Sequence, residues 1–178
     1  DIVLSLDISG SMLAKDFEPD RLEAAKKVAM QFIKDRPNDR IGLVVFSGES
    51  FTQCPITIDH QVLLNLFKDI QSGMVEDGTA IGMGLATAVA RLKESKSKTK
   101  VIILMTDGVN NMGYIDPYTS IQIAKTFGVR VYTIGIGKNG NAPYPVKDQN
   151  GRTYYQSFPV QIDEPLLRKI AQETGGSY

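Results

Sequence analysis

Three short stretches place oxygen donors where they could hold a metal ion. Asp7-Ile8-Ser9-Gly10-Ser11 follows one apolar run, Thr106-Asp107-Gly108 follows another, and Asp77-Gly78-Thr79 precedes a helical pattern. Asp7, Ser9, Ser11, Thr79 and Asp107 offer carboxylate and hydroxyl oxygen, with no histidine or thiolate among them. Such a set suits a hard divalent cation. All-oxygen octahedral coordination fits Mg2+ or Mn2+, whereas Ca2+ usually asks for more carboxylates. Two carboxylates and three neutral hydroxyls also leave coordination positions for water or an outside ligand. If the hydroxyls bind directly and the carboxylates act through water, the ion stays electrophilic. It then seeks an anionic oxygen, such as an Asp or Glu side chain of a partner protein. Asp77 is a candidate for steering the Thr79 loop, and Gly10, Gly108 and Asn110 complete the expected rim. Each position also has a plainer role open to it: Asp7 and Asp107 as turn caps after strands, Thr79 as a helix N-cap.

Convergence of these stretches depends on the elements that carry them. Continuous apolar runs at Ile2 to Leu6, Ile41 to Phe46, Val101 to Met105 and Val129 to Ile136 read as parallel strands covered on both faces. Phe51 to Ile58 is strand-like but contains Pro55, which places it at a sheet edge. Helical stripes lie between the runs. Leu22, Ala25, Val28, Ala29, Phe32 and Ile33 follow Asp20, with Glu23 three residues later as a capping box. Val62, Leu63, Leu66, Phe67 and Ile70 follow Asp59, and Ile81, Leu85, Ala88, Val89 and Leu92 form a third stripe. Ile121, Ala124 and Phe127 follow Asp116-Pro117, with Pro in the first turn where its missing donor costs nothing. Leu166, Leu167, Ile170 and Ala171 follow Asp163. Alternating strand and helix implies right-handed crossovers and an α/β fold, a doubly wound open sheet with helices on both faces. In such sheets ligands sit outside the carboxyl ends of the strands, where the three stretches fall. Residues 139–159 break the rhythm with Pro143, Pro145 and the turn-like Asp148-Gln149-Asn150-Gly151, and read as a β-hairpin insertion.

The 178 residues suit one domain spanning 1–178, long enough to bury a core without disulfides. Twenty basic and twenty acidic residues cancel, so there is no basic excess of the kind nucleic-acid binding needs. Cys54 stands alone and reads as a small buried residue, and His60 as a capping or surface histidine. No apolar run approaches the roughly 20 residues of a membrane span. The chain opens at Asp1 directly on a strand, and the expectation is a domain excised from a longer membrane-anchored protein.

The pattern Asp-x-Ser-x-Ser, a separate Thr and Thr-Asp-Gly after a later strand resembles the metal-ion-dependent adhesion site of von Willebrand factor A domains, over essentially the whole chain. Ala14-Lys15-Asp16-Phe17, Asp77-Gly78-Thr79-Ala80-Ile81-Gly82, Thr106-Asp107-Gly108-Val109-Asn110-Asn111 and Tyr132-Thr133-Ile134-Gly135-Ile136-Gly137 further resemble the bacterial Bat aerotolerance proteins, the BatA type in particular. The resemblance implies strand order 3-2-1-4-5-6 with an antiparallel third strand. It implies Mg2+, with Mn2+ or Ca2+ as substitutes, on Ser9, Ser11 and Thr79, and Asp7 and Asp107 acting largely through water. It also implies transmembrane segments flanking the domain, which is then expected on the periplasmic side of a bacterial membrane.

The expectation is a noncatalytic interaction module taking a partner carboxylate at the metal, within an aerotolerance system, with no nucleic acid and no small-molecule substrate. The alternative is a structural or assembly domain of a membrane complex in which the ion only stabilises loops. Enzyme-like signals fail on physical grounds. Gly135-Ile136-Gly137-Lys138-Asn139-Gly140 has dinucleotide-motif spacing, but Pro143 and Pro145 follow where a phosphate-binding helix would have to start. Asp7 has Ser9, not a second carboxylate, two residues on, and no general base accompanies the site. A serine hydrolase would need Gly-x-Ser-x-Gly, which is absent, and a histidine near its serine.

Overall fold

The computed structural model describes residues 1–178. Five strands form one sheet: β1 (Ile2–Asp7), β2 (Ile41–Phe46), β3 (Ser50–Thr57), β4 (Val101–Thr106) and β5 (Arg130–Gly135). Their order is β3-β2-β1-β4-β5, with β2 and β3 antiparallel and the other neighbours parallel. β1 and β2 are buried along their whole length, because helices cover both faces. On one face α1 (Arg21–Lys34) and α2 (His60–Lys68) pack Leu22, Ala29, Leu63 and Phe67 against Leu4, Leu6, Leu43 and Val45. On the other, α3 (Ile81–Leu92), α4 (Pro117–Thr126) and α5 (Glu164–Glu173) pack against Val3, Val44, Leu104 and Val131. The alternation of Val3 and Leu4 between the two cores is the period-two geometry of a strand. β3 is the expected antiparallel edge strand.

The sixth strand implied by the resemblance is not in this sheet. The outer edge of β5 is met instead by the turn after α5: Val131 N–H donates to Thr174 Oγ1 at 3.1 Å and Thr133 N–H to Ser177 O at 3.1 Å. Those bonds occupy ladder donors that another strand would use.

Asp20, Asp59, Asp116 and Asp163 cap α1, α2, α4 and α5 through bonds to backbone N–H groups. The capping box at α1 is only half made, since the Glu23 carboxylate turns to Lys26 Nζ, 2.6 Å away. The helix α3 has no side-chain cap, and the residue in its cap position is Ala80. Gly82 lies where α3 crosses the 115–116 loop so closely that a Cβ would come 2.0 Å from Ile115 O. Residues 140–147 and 153–160 form a separate two-stranded antiparallel hairpin, β6 (Gly140–Lys147) and β7 (Thr153–Val160). A strand therefore follows Gly135-Ile136-Gly137, as the prolines imply. His60 Nε2 lies 2.8 Å from Asp39 O, and Cys54 is buried; both are structural. No helix is long and apolar enough to cross a membrane.

Candidate metal centre

The sheet changes winding direction between β1 and β4, and the loops leaving their carboxyl ends diverge there. The β1 loop turns into a single 3-10 turn, Gly10–Leu13. It is brought against the β4 loop by a chain of oxygens. Ser9 Oγ lies 3.0 Å from Ser11 Oγ, and Ser11 Oγ donates to Asp107 Oδ1 at 2.8 Å. Adjacent ligands about 2.1 Å from a Mg2+ ion stand about 3 Å apart in an octahedron, so these spacings fit shared coordination. Thr79, Ser11, Asp107 and Gly108 line one cavity of about 200 Å3 at this edge. The Thr79 side chain packs on Gly108, where a Cβ would come 2.9 Å from Thr79 Cγ2. Since Ala80 stands in the cap position of α3, the Thr79 hydroxyl is not consumed as a cap.

Asp7 lies beneath this floor. It is fully buried, accepts from Ser9 N–H at 2.9 Å and from Thr106 Oγ1 at 2.6 Å, and so braces both loops. Burial, then repulsion from Asp107, pushes its carboxyl up from an ordinary 3.8 to about 7. Burial also raises Asp107, against the pull of Arg21 and Ser11. Two buried carboxylates that resist ionisation together favour a neighbouring positive charge. No three His, Cys, Asp or Glu side chains cluster as a metal-ligand group, so a carboxylate-rich Ca2+ cage is not formed. The hydroxyl-dominated oxygen set is chemically suited to a small hard cation.

The flanking residues tie the loops down. Asp77 Oδ1 accepts the Gly10 N–H at 2.7 Å. Asn110 makes only long contacts, to Gly82 N and Met112 O. Its neighbour Asn111 holds the Thr79 backbone, accepting Thr79 N–H at 2.9 Å and donating to Thr79 O at 3.0 Å.

Four contributors went unassigned in the sequence. Arg21, 1% exposed, donates from Nη1 to Asp107 Oδ2 at 2.7 Å. Its other edge forks onto Asp16 at 2.7 and 2.8 Å. Gly137, at φ +133°, lets the backbone close over that guanidinium, where a Cβ would come 2.7 Å from Arg21 Cζ. The one signal was a cation in the first turn of α1, the unfavourable end of the helix dipole. Thr106 links Asp7 to the Gly108 N–H. Asn111 is the third. Tyr144 is the fourth, its hydroxyl lying 2.9 Å from where a Gly10 Cβ would stand.

The chain is 36% identical over its whole length to an uncharacterized protein of Borreliella burgdorferi, and spans 52% of that protein. Two crystal structures are similar. An aerotolerance-related membrane protein of Bacteroides fragilis is 30% identical, with a TM-score of 0.85, over 99% of this chain and 89% of that one. BatB of Bacteroides thetaiotaomicron is 31% identical, with a TM-score of 0.82, over 99% and 87%. The resemblance to Bat proteins is thereby borne out. Residues 1–175 match the von Willebrand factor type A domain, and the protein belongs to that family.

Proposed function

We propose that this domain is a noncatalytic, divalent-cation-dependent protein-interaction module. The observation that carries the reading is the oxygen chain Ser9 Oγ, Ser11 Oγ, Asp107 Oδ1, at spacings of 3.0 and 2.8 Å beside Thr79. When bound, Mg2+ or a similar ion supplies an electrophilic position for an anionic oxygen. Ser9, Ser11 and Thr79 hold it directly, while Asp7 and Asp107 orient the hydroxyls and offset charge. The ligand is an Asp or Glu side chain of a partner protein. Likeness to a Bacteroides aerotolerance-related membrane protein supports a place in a bacterial membrane-associated stress system, with anchoring outside residues 1–178.

Retention of partner proteins should be lost in EDTA and in Asp7→Ala, and regained with Mg2+ or Mn2+ in the wild type only. Binding unchanged by both treatments refutes the reading. A second reading, in which the ion only stabilises the loops, is favoured by the repulsion between buried Asp7 and Asp107, which a cation between the loops would relieve. A large Mg2+ effect on melting without metal-dependent partner binding would select it.

A further inference from the structure

Beside the metal loop the hairpin leaves an open cleft of about 270 Å3, walled by Ala14, Tyr144, Phe158, Pro159 and Val160 with Ser11 at one end. Tyr144 and Phe158 meet edge to face at 6.0 Å across the hairpin, which holds both rings in place. Phe158 is 40% exposed and Val160 half-buried. These apolar surfaces contact solvent although the core of the sheet lies elsewhere.

We propose that this cleft is a second anchor for the same ligand. The domain takes an acidic peptide segment whose metal-seeking carboxylate is neighboured by a Leu- or Phe-sized side chain, and that side chain seats between Phe158, Tyr144 and Val160. The proposal rests on the metal-dependent reading above. Three observations carry it. Ser11, Pro159 and Val160 line both cavities, so the two are contiguous and one short segment can reach both. The cleft falls below the roughly 300 Å3 at which small-molecule sites begin, a size for one side chain rather than a cofactor. The hairpin that walls the cleft is itself basic, with Lys138, Lys147 and Arg152 against Asp148 over residues 138–161, while the carboxylates beside Tyr144, Asp77 and Asp107, lie on the metal side. Lys15 adds to the basic groups, its ammonium 4.3 Å from the Tyr155 ring centroid. Acidic flanks on the peptide complement that rim.

The test uses the whole chain and an array of short peptides, each with one central Glu whose neighbours are Gly, Ser, Leu or Phe. In Mg2+, peptides with Leu or Phe beside the Glu should bind roughly tenfold more tightly than those with Gly, the effect of burying one such side chain in part. Phe158→Ala removes a wall and Val160→Phe fills the cleft. Either should reduce binding of the Leu and Phe peptides to the level of the Gly peptide. The Mg2+ thermal shift of each variant reports that its metal loop has folded. Mg2+-dependent binding indifferent to the neighbouring residue overturns the second anchor and leaves the metal reading standing. Binding that persists in EDTA or in Asp7→Ala overturns the metal reading, and no binding by any acidic peptide overturns both.

Discussion

Replacing Arg21 with Met removes the guanidinium that bridges Asp16 and Asp107 while keeping most of the packing volume. The side chains of Arg21 and Asp107 are 1% and 0% exposed, and their contact is 2.7 Å. Asp107 Oδ2 would be left buried and unpaired, and Asp16, 9% exposed, would lose both of its bonds to the fork. Removing one partner of a buried pair costs about 3–5 kcal/mol. Relief of a cation at the N-terminus of α1 returns about 1–2 kcal/mol. A net loss of about 3 kcal/mol corresponds to a fall in Tm of roughly 10 °C for a domain of this size. The experiment is thermal melting in EDTA and in excess Mg2+. In the wild type the guanidinium already offsets part of the charge on Asp107, so the bound ion completes the neutralisation. In the variant the ion supplies all of it, and the Mg2+-induced rise in Tm should be larger than in the wild type. A tenfold tighter Mg2+ site adds about 1.4 kcal/mol at saturating metal. A variant that melts within the wild-type error in EDTA, or gains no more from Mg2+ than the wild type, would refute the assignment of Arg21 as the internal counter-charge.

Other outcomes follow from the same geometry. Asp7 is raised in the folded state from 3.8 to about 7, so between those values the metal-free fold binds more protons than the unfolded chain. The stability that Asp7 contributes in EDTA, read as the difference from Asp7→Asn, should therefore be greatest at the acid end and fall as pH rises towards 7. Because a cation competes with that proton, the Mg2+-induced Tm rise should grow over the same range. Melts in both buffers check this, and a Mg2+ effect independent of pH contradicts it. The Ser5 hydroxyl is buried without a partner, and Ser5→Ala should stabilise the protein by about 1 kcal/mol in denaturant unfolding; a destabilised variant would show that Ser5 Oγ is satisfied. Gly82→Ala should cost several kcal/mol, an overpacking effect of the kind that usually costs about 1–3 kcal/mol or more, because backbone atoms of residues 115 and 116 occupy the Cβ position. A fully stable variant would mean that α3 approaches that loop less closely.

What the sequence made legible follows from local physics. Runs such as Ile41–Phe46 read correctly as strands because burial on both faces leaves no polar alternation. Asp20, Asp59, Asp116 and Asp163 marked helix starts because a cap acts within three residues. Pro55 placed β3 at the edge, since proline cannot donate to a ladder. The proximity of Ser11 and Asp107 followed from one topological rule about strand ends. What escaped depends on contacts distant in the chain. Arg21 and Asp107 are separated by 86 residues, and nothing local distinguishes Arg21 from a solvated helix residue except its place against the dipole. Asn110 and Asn111 differ only in side-chain direction, which the turn after β4 decides. The hairpin's tight turn is local and was legible. Its folding back onto the metal loop, with Lys15 N–H donating to Pro143 O at 2.8 Å, was not. The sixth strand came from resemblance alone, and the edge of β5 is satisfied by other groups.

The account's central claim is tested most directly by anomalous diffraction from crystals of the domain grown in Mn2+. The account predicts one strong peak within bonding distance of Ser9 Oγ, Ser11 Oγ and Thr79 Oγ1, with water or a carboxylate from a neighbouring molecule completing its shell. A map with no peak among those three hydroxyls, from crystals saturated with Mn2+, would contradict it.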